Sequence, residues 1–199
     1  MKISVILSLF DCEEYLESYF QNALEQKNVE LIEFSVIHNN PTVKELETIN
    51  FYKEKLNIKH TVVSLEPLYV SWNRAILQST GQYLACWNVD DRRTKDSLNR
   101  MSETLDKNSS VGFTYGDFII TKTYGDSMGK YINAINFNKW EATTGAIGGP
   151  FFMWRKSLVS GIGFFDEQFK SGGDFDYTVR LSIVTTGLKT DGLLGYFLN

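Results

Sequence analysis

The sequence predicts an α/β fold with a mostly parallel central sheet flanked by helices. Three observations lead there. The chain has 199 residues, 43% of them hydrophobic and 14% aromatic, enough for one domain with a sizeable core. Strand-like and helix-like segments alternate over the first ninety residues, as βαβ crossovers require. The apolar runs are also continuous rather than alternating with polar residues, which is how strands covered on both faces read.

"ISVILSL" (3–9) is such a run and predicts the first strand. In "CEEYLESYFQNALEQK", Tyr15, Leu16, Tyr19, Phe20, Ala23 and Leu24 recur at the spacing of one apolar helical stripe, with Glu13 and Glu14 at the favourable N-terminal end. "LIEFSVIH" then reads as a strand, "TVKELETINFYKEKLN" as a helix, "HTVVSL" (60–65) as a strand, "SWNRAILQST" (71–80) as a helix and "QYLACWNV" as a fourth strand. Together they form a Rossmann-like half. Beyond residue 91 the regularity weakens. A helix is expected near 94–107 and a strand at 112–120, while 124–149 has no clear period and is expected to be a loop or lid. "PFFMWRK" returns to strand character, "DYTVRLSIVTTG" to helix, and "LLGYFLN" (193–199) looks like a last strand. The division expected is a single domain, 1–199, with a nucleotide-binding half at 1–91 and an acceptor and catalytic half at 92–199.

A net charge of −4 and no cluster of Lys and Arg argue against a nucleic-acid partner. The two cysteines, Cys12 and Cys86, give neither a disulfide framework nor a zinc spacing. No run is long enough to cross a bilayer as a transmembrane segment. The expected setting is the cytoplasm, free or peripherally at a membrane.

The stretch "WNVDDRRTKDSL" sets Asp90 and Asp91 just past the fourth strand, and open α/β sheets bind ligands beyond the carboxyl ends of their strands. Two adjacent acids repel unless cations compensate, and hard carboxylate oxygens suit Mg²⁺ or Mn²⁺ on a diphosphate. On this stretch alone a helix cap is the simpler reading.

The wider pattern resembles family 2 of the glycosyltransferases with the GT-A fold. In "EPLYVSWNRAILQSTGQYLACWNVDD", residues Asn73, Ala75, Ser79, Gly81, Tyr83, Asp90 and Asp91 fall in matching places. "ISVILSLFDCEEYLESYFQNALEQ", "FSVIHNNPT" and "GGPFFMWRKSLVSGIGFFDEQFKSGGDFDYTVRLSIVTTG" are similar to further blocks of that family, in its order. The resemblance implies hexosyltransferase-like transfer of a sugar from a nucleoside diphosphate sugar to a hydroxyl acceptor, with inversion, as used in polysaccharide biosynthesis. It implies Mn²⁺ or Mg²⁺ on Asp90 and Asp91. Asp174 falls where the family has its general base, with helix capping as the alternative, and Asp176 reads rather as a first-turn acid. For the nucleotide it points to Ser8, Phe10, His38, Asn39, Asn40, Asn73, Asn88 and Asp90. Gly148, Gly149 and Gly173 would line the sugar and acceptor cleft, although turn geometry alone explains glycines equally well. Trp87, Trp140 and Trp154 are expected mostly in the core, and His60 as surface or structural.

Five positions depart from the family pattern: Ser8 for a proline, His38 for the acid that reads the base, Trp72 for an arginine, Asn88 for the first acid of Asp-x-Asp, and Gly173 for the glutamate before the base. The rival reading is a catalytically impaired module that binds a nucleotide sugar or a protein partner on the same fold. A nucleotidyltransferase is disfavoured, because "SLFDCEEY" lacks the Gly-rich basic loop that holds a triphosphate.

Overall fold

The computed structural model describes residues 2–144 and 148–199. One sheet runs through the molecule. Its parallel half is built from β1 (Ile3–Leu9), β2 (Ile32–Asn39), β3 (Asn57–Val63) and β4 (Tyr83–Cys86), in the spatial order β3-β2-β1-β4. Helices α1 (Glu13–Leu24), α2 (Val43–Lys53) and α3 (Leu68–Gln78) make the crossovers. Beyond β4 the sheet is mixed. The short β8 (Met153–Arg155) runs antiparallel between β4 and β6 (Val111–Thr121), β6 pairs in parallel with the long β9 (Thr186–Leu198), and β9 carries β5 (Arg92–Arg93). Strand β7 (Lys130–Ile132) pairs with β6 off this path. Helices α4 (Ser97–Lys107), α5 (Lys139–Thr144), α6 (Val159–Ile162) and α7 (Gly173–Val184) complete the chain.

The largely apolar β1 still obeys the two-residue period of a strand. Ile3, Val5, Leu7 and Leu9 enter one core with Tyr19, Phe20, Phe34 and Trp87. Ile6 enters the other, with Trp72, Trp154, Phe165 and Tyr177. Burial on both faces is why no polar alternation shows in the sequence.

Several boundaries move. The third strand begins at Asn57 rather than at residue 60. Its side chains are half-buried or exposed at the sheet's edge, so "NIKH" lacks an apolar signature. The third helix starts at Leu68, directly after Pro67, rather than at 71, and the last helix at Gly173 rather than 176. The final strand is 13 residues long and bends at Gly192, where φ is 79°. Within 124–149 lie β7 and α5, which no periodicity announced. Arg92 and Arg93, directly after the two acids, form the short β5. Among the described residues no helix is long and apolar enough to cross a membrane.

Candidate functional site

Where β1, β2 and β4 end, a pocket of about 420 Å³ opens. Ser8 and Phe10 reach it from the end of β1, Asn39 from the end of β2, Glu66 from the turn after β3, and Asn88 and Asp90 from the turn after β4. Chain ends gather here because parallel strands all finish on the same edge. The buried Asn39 holds the floor together: its amide donates to Leu9 O (3.2 Å) and Ser71 Oγ (3.1 Å), and its oxygen accepts from Glu66 N (3.0 Å). Asp11 and Asn40, the residues just past β1 and β2, take left-handed backbone angles (φ 47° and 42°), a conformation that Asp and Asn tolerate better than most. Asn40 is exposed and lies outside the pocket wall.

Asp90 and Asp91 sit in the turn between β4 and β5, closed by a hydrogen bond from Asp91 N to Asn88 O of 3.2 Å. Neither caps a helix; α4 starts at Ser97 with Asp96 before it. Asp90 faces the pocket. Asp91 is buried behind it, accepting from Asn88 Nδ2 (3.4 Å) and from Leu198 N of β9 (3.3 Å). Burial pushes the Asp91 carboxyl up to about 8, and the Asp90 charge adds to that. Burial raises Asp90 as well. The nearby Arg93 offsets this only in part: its charge lowers Asp91, but burial and Asp90 outweigh it, and its guanidinium donates to Cys86 O (2.9 Å) and packs over Phe151. Adjacent hard-oxygen donors left short of positive charge are a set that a divalent cation fits.

The last helix, α7, brings Asp174 to this end of the sheet. Gly172, with φ 75°, is its N-cap, so Asp174 stands in the first turn and is not the cap. It is half-buried, and among the described residues its carboxylate has no hydrogen-bond or ion-pair partner. Its charge is felt at the Tyr69 hydroxyl and at the Cys86 thiol on the end of β4, raising both, second to burial in each case. Asp176 is committed elsewhere, to an ion pair with Arg180 at 2.8 Å.

Other residues singled out in the sequence have structural partners. Asn73 faces away from the pocket and clamps the 165–167 loop, donating to Phe165 O (2.9 Å) and Glu167 Oε1 (3.0 Å) and accepting from Phe165 N (2.9 Å). His38 points to the opposite side of β2 from Asn39. It is buried against Glu45 and His60 rather than open to the pocket. Gly173 packs under Tyr69: a Cβ there would stand 2.7 Å from the Tyr69 ring, and its N–H donates to Tyr69 Oη at 2.8 Å. Gly148 is buried near Thr178, and Gly149 takes φ 55° against Phe118. Trp87 and Trp154 are core residues, whereas Trp140 is 80% exposed. Glu66, Tyr15 and Tyr69 were missed; Glu66 lies where β3 hands over to α3, so the strand-end rule that found Asp90 could have found it.

Comparison with known proteins agrees with this architecture. A profile of glycosyl transferase family 2 matches residues 4–163. The Bacillus subtilis (strain 168) protein named "Putative teichuronic acid biosynthesis glycosyltransferase TuaG" is 25% identical over 135 residues, 66% of this chain and 52% of that protein. The crystal structure of S. aureus TarS 1-349 superposes with a TM-score of 0.80 at 20% identity, covering 100% of this chain and 60% of that one. The same protein in complex with UDP-GlcNAc gives 0.80 at 19%, covering 100% and 59%. The mannosyltransferase PcManGT from Pyrobaculum calidifontis, in complex with GDP-Man and Mn²⁺, gives 0.72 at 15%, covering 97% and 56%. The chain thus spans about half the length of its curated relative and about 60% of the TarS 1-349 chain. With a family match over most of its length and a fold shared with glycosyltransferases of known structure, the chain belongs to glycosyl transferase family 2 and has the GT-A fold.

Proposed function

We propose that this protein transfers a sugar from a nucleoside diphosphate sugar to an acceptor hydroxyl, with inversion at the anomeric carbon. The observation that carries the reading is the convergence, at one edge of the sheet, of a 420 Å³ pocket bearing Asp90 with a half-buried, unpaired Asp174 at a helix start. Among the described residues neither acid is consumed by capping or by an ion pair.

In this reading the nucleoside lies between the ends of β1 and β2, where Ser8, the Phe10 backbone and Asn39 line the wall. Asn88 meets a ribose hydroxyl. Asp90 and Asp91 would hold Mn²⁺ or Mg²⁺, which would neutralise the charge that develops on the departing diphosphate. Asp174 accepts the proton of the acceptor hydroxyl; the oxygen attacks the anomeric carbon, and the bond to the diphosphate breaks with its electron pair leaving on phosphate. Gly148, Gly149 and Gly173 border the acceptor side. UDP and UDP-GlcNAc complexes of TarS support a uridine donor as the first to try, and the TuaG name supports a glycan acceptor.

The test is calorimetry with UDP, GDP and dTDP, each with and without Mn²⁺, paired with an assay of donor hydrolysis. Metal-dependent nucleotide binding lost in Asp90→Asn, with hydrolysis lost but binding kept in Asp174→Asn, is the expected result. Nucleotide binding indifferent to metal and to both substitutions would instead identify a binding module that has lost transfer.

A further inference from the structure

Under the rim of the pocket, apart from the acids assigned to donor and acceptor, three side chains of metal-ligating type converge. Cys12 Sγ, His38 Nε2 and a carboxylate oxygen of Glu45 all lie within 4.8 Å of one another, and all three residues are buried. They come from three elements: the turn before α1, the end of β2 and the first turn of α2. Sγ is 3.2 Å from Glu45 Oε1, and Nε2 is 3.4 Å from Oε2. Around a tetrahedral zinc with bonds of about 2.0–2.3 Å, ligand atoms stand roughly 3.3–3.6 Å apart; the two contacts to Glu45 are near that spacing, and the set as a whole, within 4.8 Å, has to draw together on binding.

The second observation is the histidine itself. His38 is fully buried, and its Nε2 faces Glu45 Oε2 at 3.4 Å without the alignment of a good hydrogen bond. A buried ring nitrogen that, among the described residues, has only one poorly aligned neighbour calls for an explanation. Its other nitrogen, Nδ1, lies 3.2 Å from His60 Nε2, the kind of outer partner that orients a metal-bound imidazole.

We propose that Cys12, His38 and Glu45 form a site for a thiophilic divalent cation, with Zn²⁺ the best fit. A thiolate beside an imidazole and a carboxylate suits zinc and disfavours Mg²⁺. Cys12 also belongs to the pocket wall, which gives the ion its way in. Three protein ligands leave a fourth position for water. Binding sends the Cys12 thiol proton to solvent. It also requires the His38 lone pair on Nε2, so the ring proton sits on Nδ1 and is donated to His60 Nε2. His60 then carries its own proton on Nδ1, and Lys53 Nζ, now 3.2 Å from that nitrogen, moves off into solvent, to which Lys53 is exposed. The ion ties the β1–α1 turn to β2 and α2, the wall against which the nucleotide is proposed to lie. The site stands whether or not the protein transfers sugar.

Titration of the metal-stripped full chain with Co²⁺ tests this. The expected result is one equivalent bound with a thiolate-to-cobalt charge-transfer band in the near ultraviolet and four-coordinate d–d absorption, both displaced by Zn²⁺. Cys12→Ser removes the charge-transfer band, His60→Gln weakens binding by roughly 10–100-fold, and Asp90→Asn leaves the band unchanged. Should Cys12→Ser fail to fold, by far-ultraviolet circular dichroism, His38→Gln is read in its place by loss of the Zn²⁺-induced rise in Tm. Absence of a thiolate band in the wild-type chain, its survival in Cys12→Ser, or its loss in Asp90→Asn would overturn the proposal.

Discussion

Asp174 and Asp91 illustrate how differently two acids at one sheet edge can be set. Asp174 is half-buried, and among the described residues its carboxylate has no hydrogen-bond or ion-pair partner. Replacing it with Asn keeps the shape and removes the basicity. In the proposed mechanism, Asp174→Asn therefore lowers kcat by about 100- to 10,000-fold while the affinity for nucleotide stays within a factor of two or so, as read by steady-state kinetics and calorimetry. Asp91 is buried, and its carboxyl is pushed from an ordinary 3.8 up to about 8. An acid whose folded value is raised favours the fold below the unfolded value and loses that contribution as pH rises through the folded one. With a chelator present, Asp91 should therefore destabilise the protein progressively between pH 3.8 and about 8, and Asp91→Asn should raise Tm more at pH 8 than at pH 5. In the proposed metal site the same raised acid would make uptake at pH 7 release a proton, which calorimetry in buffers of different ionisation enthalpy would register.

Among the helices, α3 and α7 meet through Tyr69 and Gly173, and this contact explains a departure from the family pattern. Tyr69 stacks on Phe165, and Phe165 stacks on Tyr177 of α7 with ring centroids 4.1 Å apart. Trp72 packs into the same cluster, edge-on to Phe165 at 5.1 Å, where an arginine would bury a charge. Gly173 is required because the Tyr69 ring occupies the space of a Cβ. Restoring the family's acid with Gly173→Glu should thus cost about 1–3 kcal/mol in denaturant unfolding. Tyr69→Phe, which frees the Gly173 N–H, should cost about 1 kcal/mol. If Gly173→Glu unfolds like the wild type, the overlap is not a constraint. None of this could be read from "SGGDFDY", because the partner lies 104 residues away in sequence. Periodic elements such as β1 and α1, and acids at strand ends such as Asp90, were legible because local spacing alone defines them. The inward turn of His38 and the clamp made by Asn73 were not, since each depends on what a distant segment places opposite. Residues 130–132 and 139–144 are too short to establish a period.

Across the whole molecule, the site edge of the sheet is balanced by a structural carboxylate at the other edge. Glu33, at the start of β2, is buried. It accepts from the Ser4 hydroxyl, from the Thr80 hydroxyl (2.7 Å) and backbone N–H, from Gly81 N (3.2 Å) and from Lys59 Nζ (3.1 Å). It therefore joins β1, β2, β3 and the turn leading into β4. Burial alone would raise its carboxyl, but the donors from Ser4, Thr80 and Lys59 outweigh burial and hold it at about 2, against an ordinary 4.5. A depressed acid contributes stability that is full above its unfolded value and is lost as pH falls through its folded one. The window here is pH 4.5 down to about 2, and the contribution is on the order of 3 kcal/mol. His60 acts in a neighbouring window: burial first, then Lys53 and His38, lower it from 6.5 to about 4, so acid favours the unfolded chain there as well. In the metal-free protein the His60 loss below pH 6.5 is opposed by Asp91, which gains stability on acidification from about 8 to 3.8, so the uncompensated acid loss is that of Glu33, below pH 4.5. Glu33→Gln removes that loss. It strands a neutral amide among five donor groups, so Tm at pH 7 falls, while the gap to wild type narrows as pH approaches 3. Thermal melts of both proteins from pH 7 to pH 3 check this, and a gap that stays constant over that range would show that Glu33 is not the carboxylate that titrates.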